Sequence, residues 1–446
     1  MNFKNKYLKY KNKYIKYKSK DLNGGVYNKL PDDIQLLIMN DLLDVNDINN
    51  LYKTDRLNRD FIIEYNKENR FIKYSELIKE PDIINSGYKN VLYDLTENLD
   101  NKQFPKSLTH LTFCKDYDKP IDNLPSTITH LIFDLMFDKP VDYLPQSLTY
   151  LYFGSSFNHP VDNLPKSLKQ LTLGYEFNHP VDKLPPSLTH LTLGLSFNYP
   201  LDNLPNKITH LIIDSIYFNY PVDNLPKSLT HLTFGFNFNN NVNNLPESLK
   251  VLIFDRQFDK SVDRLPDSIT HLTFSHNFNK SIDKLPKSLT QLIIGNEFNY
   301  PVDKLPQSLT YLALGDKFNH SVDKLPKSLT YLFLGKKFNN SVDCLPQSLI
   351  HLFLGNKFNY SVDNLPQSLM YLVLGDEFNQ SVDNLPKKLT ELTFGYKFNK
   401  SIDKLPQSLT YLTLGNLFDK SLKCLPSSIK KYIKRKVIVL LKYLYN

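Results

Sequence analysis

The sequence contains no tryptophan, only three cysteines and no long apolar stretch. Three cysteines in 446 residues are too few for a disulfide-rich secreted scaffold, and no CxxC pair or Cys/His cluster indicates structural zinc. No run of 18 apolar residues exists, so we expect no membrane-spanning helix. The hydrophobic fraction of 41%, with 28 Tyr and 29 Phe, is nevertheless enough for a substantial core, which excludes wholesale disorder.

The positive charge of the chain is concentrated at its two ends. Residues 1–21 carry a net charge of +7 and residues 427–446 a net charge of +6, whereas the whole chain carries +8, so the residues between them sum to −5. A nucleic-acid-binding groove requires an excess of positive charge along a surface. The mildly acidic middle of the chain therefore predicts no nucleic-acid partner.

An internal repeat of 20 residues dominates the sequence. The unit is approximately LP-x-SLT-[HY]-LTLG-x-x-FN-x-[PS]-VD-x in sixteen intervals, with one extra residue near Ile216. It is marked by a Leu-Pro pair, Phe-Pro in the first case, at Pro105, Pro125, Pro145, Pro165, Pro185, Pro205, Pro226, Pro246, Pro266, Pro286, Pro306, Pro326, Pro346, Pro366, Pro386, Pro406 and Pro426. Such a period indicates stacked coils rather than the three ordinary domains that the length alone suggests.

Each unit contains the spacing of one short strand. In one repeat, Leu151 and Phe153 alternate with Tyr150 and Tyr152, so the first pair should point into the core and the second outward. A glycine follows the strand in eleven of sixteen repeats, where it permits either a positive φ or a close approach of backbones.

A Phe-Asn pair follows the strand and its turn. The first position is Phe in fifteen repeats and Tyr117 in the other, so stacked coils should align these rings in an aromatic spine. The second position is Asn in twelve repeats and Asp in four, and we expect it to bond backbone groups of the turn. Val-Asp and Leu-Pro complete the coil as an extended return segment without a helix.

These features predict a solenoid with a parallel sheet and only short turns. The pattern LPxSLTxLxLGxxFNxPVD resembles the FNIP repeat, known from amoebal proteins and from large DNA viruses that infect amoebae, although Leu-Pro mostly replaces Ile-Pro. FNIP repeats are similar to leucine-rich repeats, and this one is similar to the short 20-residue subtype of bacterial effectors. The resemblance implies a curved solenoid that binds proteins. We assign residues 71–104 to a linker and N-terminal cap, 105–426 to the sixteen-repeat solenoid and 427–446 to a C-terminal cap.

The outward strand positions form the predicted target-binding face. One column contains seven His and five Tyr, and amphipathic rings on a rigid sheet suit protein recognition. Repeat duplication with cross-strand stacking that merely stabilises the sheet is the alternative. The candidate residues are His110, His130, Tyr150, Tyr152, His190, His210, His231, His271, Tyr311, Tyr331, Phe333, His351, Phe353, Tyr371 and Tyr411. We expect no metal or cofactor, because the His column has no acidic or Cys companions.

Residues 26–70 lack the repeat and have helical apolar spacing. Leu30-Pro31, an amphipathic helix, Asp47-Ile48 and Thr54-Asp55-Arg56 together resemble an F-box, although the Trp that often follows the Arg is missing. The resemblance implies docking on the Skp1 adaptor of a cullin-RING ubiquitin ligase through Leu30, Pro31, Ile34, Ile38, Leu42, Ile48 and Leu51. A small helical cap on the solenoid is the alternative.

Residues 1–25 form a lysine-rich tail, with Phe3, Tyr7, Tyr10, Tyr14 and Tyr17 at helical spacing. Its pattern resembles an N-terminal tag of giant-virus proteins, and both a helix on an anionic surface and a solvated tail stay open. It is not a secretory signal, because lysines interrupt every apolar stretch.

The sequence as a whole favours a non-catalytic adaptor that recruits a target to a Skp1-cullin-F-box ligase. A stand-alone scaffold that sequesters its partner is the alternative. No GxSxG, P-loop or HExxH motif indicates an enzyme. We expect the protein in the cytoplasm, that of the host cell if the protein is viral.

Overall fold

The computed structural model describes residues 72–79, 82–99 and 102–434. The chain divides into two units, Met1–Glu68 and Asn69–Asn446, and every described residue belongs to the second. The predicted tail (1–25) and F-box-like segment (26–70), with all seven predicted Skp1-contacting residues, lie outside the described residues.

Within the described residues, each coil contributes one strand of two to four residues, because only three or four positions per repeat alternate between core and surface. The elements are β1 (Ile72–Lys73), α1 (Tyr74–Leu77), β2 (Asn90–Tyr93), β3 (His110–Phe113), β4 (His130–Ile132), β5 (Tyr150–Tyr152), β6 (Gln170–Leu173), β7 (His190–Leu193), β8 (His210–Ile213), β9 (His231–Phe234), β10 (Val251–Phe254), β11 (His271–Phe274), β12 (Gln291–Ile294), β13 (Tyr311–Leu314), β14 (Tyr331–Leu334), β15 (His351–Leu354), β16 (Tyr371–Val373), β17 (Glu391–Thr393), β18 (Tyr411–Leu414) and β19 (Lys431–Lys434).

Every strand pairs in parallel with the strand of the next coil, from β1–β2 to β18–β19. The register places equivalent repeat positions opposite each other, as in Leu252↔Leu272 and Phe254↔Phe274. The unit is therefore a parallel β-solenoid of about 17 turns of roughly 20 residues, as the repeat predicted.

The predicted aromatic spine is confirmed. Consecutive rings lie 6.0–6.3 Å apart between centroids, and every ring is at most 2% exposed. Burial of each ring stabilises the fold by roughly 1.5–3 kcal/mol. This phenylalanine column consists of Tyr117, Phe137, Phe157, Phe177, Phe197, Phe218, Phe238, Phe258, Phe278, Phe298, Phe318, Phe338, Phe358, Phe378, Phe398 and Phe418.

The Asn/Asp position after each ring bonds the turn backbone, as predicted. In a typical step, the backbone N–H of Asn339 donates to Oδ1 of Asn319, 2.8 Å away, and the bond recurs along the solenoid. Ser hydroxyls form a second ladder that the sequence analysis missed. Ser328, for example, donates to the carbonyl oxygen of Leu309 at 2.6 Å. Both ladders satisfy backbone groups that an irregular return segment would otherwise leave without partners.

Where a glycine follows the strand, it allows close packing of successive coils. A Cβ on Gly335 would lie 2.3 Å from the carbonyl oxygen of Gly315, and one on Gly355 would lie 2.1 Å from that of Gly335. Neither glycine has a positive φ. Of the two reasons that the sequence left open, close backbone approach is therefore the correct one.

The extra residue of the repeat is accommodated by Ser215, which is fully buried. Its Oγ donates to the carbonyl oxygen of Phe197 at 2.6 Å and accepts from the N–H groups of Tyr217 and Phe218. The side chain thus satisfies the backbone of the enlarged turn, and the strand register continues into the next coil.

Candidate binding face

The outward residues of the sheet form one continuous surface, which we call the outer face. It consists of the first and third residues of strands β3 to β18, which we call the first and third columns. Parallel register aligns each column across the coils, and the intervening second residues, such as Leu332 and Leu352, are buried. The structure therefore brings all fifteen predicted target-binding residues onto the same face, as strand alternation requires.

The exposure of side chains varies along this face. Tyr152 was predicted to be available for binding a target, and this prediction is wrong because the side chain is buried. Tyr152 is only 3% exposed, and its third-column neighbours Thr112 and Ile132 are each 1% exposed. Alternation along a strand predicts on which side a residue lies, but it does not predict how much of that side is accessible. Tyr311 and Tyr331 are also largely buried, at 6% and 8% exposure, and their rings stack on each other at 4.3 Å.

The stacked histidines are the most closely spaced ring pairs of the outer face. Their centroids lie 4.1–4.2 Å apart in the first column. Other ring pairs on this face are more widely spaced, at 5.6 Å for His130–Tyr150 and 6.2 Å for Phe333–Phe353. The phenylalanine column has spacings of 6.0–6.3 Å.

The first part of the outer face is a histidine ladder. His190, His210 and His231 stack with interplanar angles of 11–12°. Each ring is held by the preceding threonine, as where Thr189 Oγ1 lies 2.9 Å from Nδ1 of His190. That hydroxyl donates to the carbonyl oxygen of Lys169, so it accepts a hydrogen bond from Nδ1 of the ring. We assign the Nδ1-protonated tautomer to these rings on this basis.

Burial and neighbouring rings keep these histidines neutral near pH 7. Burial, followed by the charges of His231 and His190, lowers the pKa of His210 to about 4. Burial and then His130 likewise lower the pKa of His110 to about 4. Parallel neutral rings do not converge on a common point, and no group of three or more His, Cys, Asp or Glu within the described ranges is arranged to hold a metal ion.

The later part of the outer face, on β12 to β16, is an aromatic strip. Its first column holds Tyr311, Tyr331, His351 and Tyr371, and its third column holds Ile293, Ala313, Phe333, Phe353 and Val373. The rings pack across coils, with centroids 5.1 Å apart for Tyr331–Phe353 and 4.4 Å for His351–Tyr371. In β7 to β11 the third column alternates between Thr and Ile, so what sets this strip apart is an apolar third column in five consecutive coils.

Charge is almost absent from the outer face. Among the first- and third-column residues of β3 to β18, Glu391 is the one charged side chain, and none is Lys or Arg. At the overall frequency of 54 Lys and Arg in 446 residues, about four would be expected among these 32 positions. Ion pairs instead lie in the turns and return segments, as in Lys304–Asp283 and Lys397–Glu377.

The fold and this face define a solenoid of the leucine-rich-repeat type, an architecture typical of protein-binding scaffolds. The chain belongs to the FNIP repeat family. The FNIP Repeat model matches residues 97–135, 137–176, 177–216, 218–256, 238–276, 261–297, 278–317, 298–337, 318–357, 358–397 and 398–433.

Two solved structures illustrate the likeness. The giant-virus protein CroV588, described as a novel circular LRR protein, is 39% identical, with a TM-score of 0.70 over 78% of this chain and 56% of that one. The receptor TLR13, solved in complex with the RNA ssRNA13, is 18% identical, with a TM-score of 0.54 over 74% of this chain and 61% of that one, which shows the fold alone. The chain thus spans little more than half the length of these relatives, and no curated protein matches it.

In the part of the chain that the structure describes, no helix is long and apolar enough to cross a membrane.

Proposed function

We propose that this chain is a non-catalytic scaffold that binds a target protein on its outer face. The observation that carries the proposal is the aromatic strip, where the partly exposed rings of Phe333, Phe353 and His351 lie on a regular sheet and are already ordered by their neighbours. Rings held in place lose little conformational entropy on binding, and partly exposed aromatic groups contribute most to protein interfaces.

The charge of the outer face favours a protein over a nucleic acid. TLR13 is a solenoid that was solved with single-stranded RNA, and aromatic rings such as Phe353 could stack on bases. Binding of RNA, however, requires cations that neutralise phosphates. The outer face of β3 to β18 has no Lys or Arg and carries the carboxylate of Glu391. Protein surfaces with apolar contact areas suit such a face better.

We further propose that residues 26–70 connect the scaffold to Skp1, so that the bound target is presented to a ubiquitin ligase. Support for this step is the F-box-like sequence around Leu30-Pro31 and its position before a recognition solenoid. A stand-alone scaffold that sequesters its partner uses the same outer face without this connection.

Substitutions that add charge to the outer face test the first proposal. A variant with Ala313→Lys, Phe333→Lys and Phe353→Lys places three cations on the aromatic strip without changing buried residues. The matched control places three lysines at Asn203, Asn364 and Asn384, in a return-segment position where Lys183 and Lys404 already occur. Affinity purification from the host cell should recover partner proteins with wild type and control but not with the face variant. Equal recovery with all three proteins would refute the role of this face.

Co-precipitation with Skp1 tests the second proposal separately. We expect wild type to recover Skp1 and a Leu30→Ala/Pro31→Ala variant to recover several-fold less, while both still bind the target. If wild type and variant recover equally little Skp1, the adaptor hypothesis fails and the scaffold hypothesis stands.

A further inference from the structure

The aromatic strip ends at a carboxylate. In the register of β16 with β17, Tyr371 lies opposite Glu391, the first residue of the next strand. Glu391 is exposed, and no other first- or third-column residue of β3 to β18 is charged. An apolar strip with one acidic end is a directional surface, because it distinguishes the two ends of whatever lies along it.

We propose that the aromatic strip binds an amphipathic helix of a partner protein, oriented so that a Lys or Arg at one end of its apolar stripe contacts Glu391. This inference rests on the proposed function, since it specifies the partner of the same face. It names the form of the partner, its direction on the strip and the side chain that fixes this direction.

The dimensions of the strip match those of a helix laid across the strands. The accessible part of the third column runs from Ala313 on β13 to Val373 on β16, because Ile293 on β12 is only 6% exposed. Neighbouring strands lie about 4.8 Å apart, so this part spans roughly 14 Å, which is about 10 helical residues. A helix advances about 5.4 Å per turn, close to one strand spacing. Each turn can therefore place one apolar side chain against one coil, from Ala313 at one end to Val373 at the other.

The exposed parts of the strip favour apolar side chains as ligands. Phe333, Phe353 and Val373 are partly exposed in the third column, beside first-column rings that they contact. An extended strand could not use this surface through its backbone, because the sheet's hydrogen bonds are already made between coils. A row of side chains from one helical face is the complementary shape.

The acidic end requires a basic group. A partner cation above Glu391 would form an ion pair with its carboxylate. In β12, at the other end of the strip, the first column is the uncharged Gln291. A helix in the reverse direction would lose the ion pair, so the strip selects one orientation.

Peptide selection on the full-length chain tests this inference. A phage-displayed library of random 16-residue peptides is panned on wild type, and the enriched peptides are then measured on three variants. Phe333→Thr/Phe353→Thr introduces the residue that other coils carry at the same position, and Glu391→Gln uses the residue of Gln291, so the fold should be retained. His231→Gln is the control outside the strip.

We expect enriched peptides with apolar residues every three or four positions and a Lys or Arg beyond one end. Affinity should fall at least tenfold on the Phe variant and three- to tenfold on Glu391→Gln, and stay unchanged on His231→Gln. Peptides without a basic residue, or with affinity indifferent to Glu391→Gln, would overturn the inference.

Two further outcomes separate this inference from the proposed function. If enriched peptides lose affinity on His231→Gln alone, the outer face binds proteins but the strip assignment is wrong. If no peptide is enriched and a 20-nucleotide single-stranded RNA binds instead, both the inference and the proposed function are overturned.

Discussion

Removal of one ring from the phenylalanine column should cost more in the middle of the solenoid than at its end. Phe318 is fully buried between Phe298 and Phe338, at centroid distances of 6.2 and 6.1 Å. Phe418 is 2% exposed and has one such neighbour in the column, Phe398, at 6.0 Å. The two sites therefore differ mainly in the number of stacked rings.

The expected magnitude follows from burial and stacking. Loss of a buried Phe side chain costs about 1.5–3 kcal/mol in transfer free energy, and each aromatic contact adds about 0.5–1.5 kcal/mol. We therefore expect Phe318→Ala to lower the free energy of unfolding by about 3–5 kcal/mol, in the usual range for Phe→Ala. Phe418→Ala should cost about 1 kcal/mol less, because one contact fewer is lost.

Hydrogen exchange resolved along the chain is the suitable assay, because long repeat arrays can unfold in segments and a single unfolding transition is then ill-defined. Protection in Phe318→Ala should fall most in the coils on either side of the substitution. A loss below 1 kcal/mol for Phe318→Ala, or an equal or larger loss for Phe418→Ala, would show that stacking in this column does not hold the coils together.

Three further predictions concern the ladders. Asn319→Ala removes the acceptor for the N–H of Asn339 and should cost about 1–2 kcal/mol, whereas Asn319→Asp keeps the acceptor and should be nearly neutral in hydrogen exchange of the flanking coils; equal effects would contradict the ladder. Lys388→Ser supplies the hydroxyl that donates to the preceding coil elsewhere and should stabilise the protein by about 0.5–1.5 kcal/mol, with the same assay as the check; no gain would count against the serine ladder. Because the pKa of His210 falls from 6.5 to about 4 on folding, the unfolded chain binds its proton first, so stability should be full above pH 6.5 and decline as pH falls toward 4. Allowing for solvent screening, protonation of His210 should cost about 1–2 kcal/mol of stability at low pH. His210→Gln should therefore flatten the pH dependence of hydrogen-exchange protection in the neighbouring coils, and an unchanged pH dependence would refute this cause.

The sequence predicted those features that depend on one repeat unit. The 20-residue period predicted the parallel solenoid, and the Phe-Asn pair predicted both the aromatic column and the bonds to turn backbone, since these positions recur in every coil. The alternation around Tyr150 and Leu151 predicted on which side of the sheet each residue of the strand lies.

Features that depend on contacts between coils could not be predicted from the pattern of a single repeat unit. The close approach behind Gly335, the bonds of Ser328 and the burial of Tyr152 each involve distances across coils. The aromatic strip was also missed as a separate region, because its residues are 20 positions apart and only the register of β12 to β16 makes them neighbours. The uninterrupted run of apolar third-column residues from Ile293 to Val373 was the signal that could have indicated it.

The most direct test of binding at the outer face is photo-crosslinking from a single position in cells that express the protein. A benzoylphenylalanine at Phe353 lies within the aromatic strip, and the same group at Tyr143, which is 83% exposed in a return segment, is the control. We predict that Phe353 gives a discrete crosslinked protein and that Tyr143 does not. A discrete protein product from Tyr143 with none from Phe353 would contradict the assignment of the outer face as the binding surface.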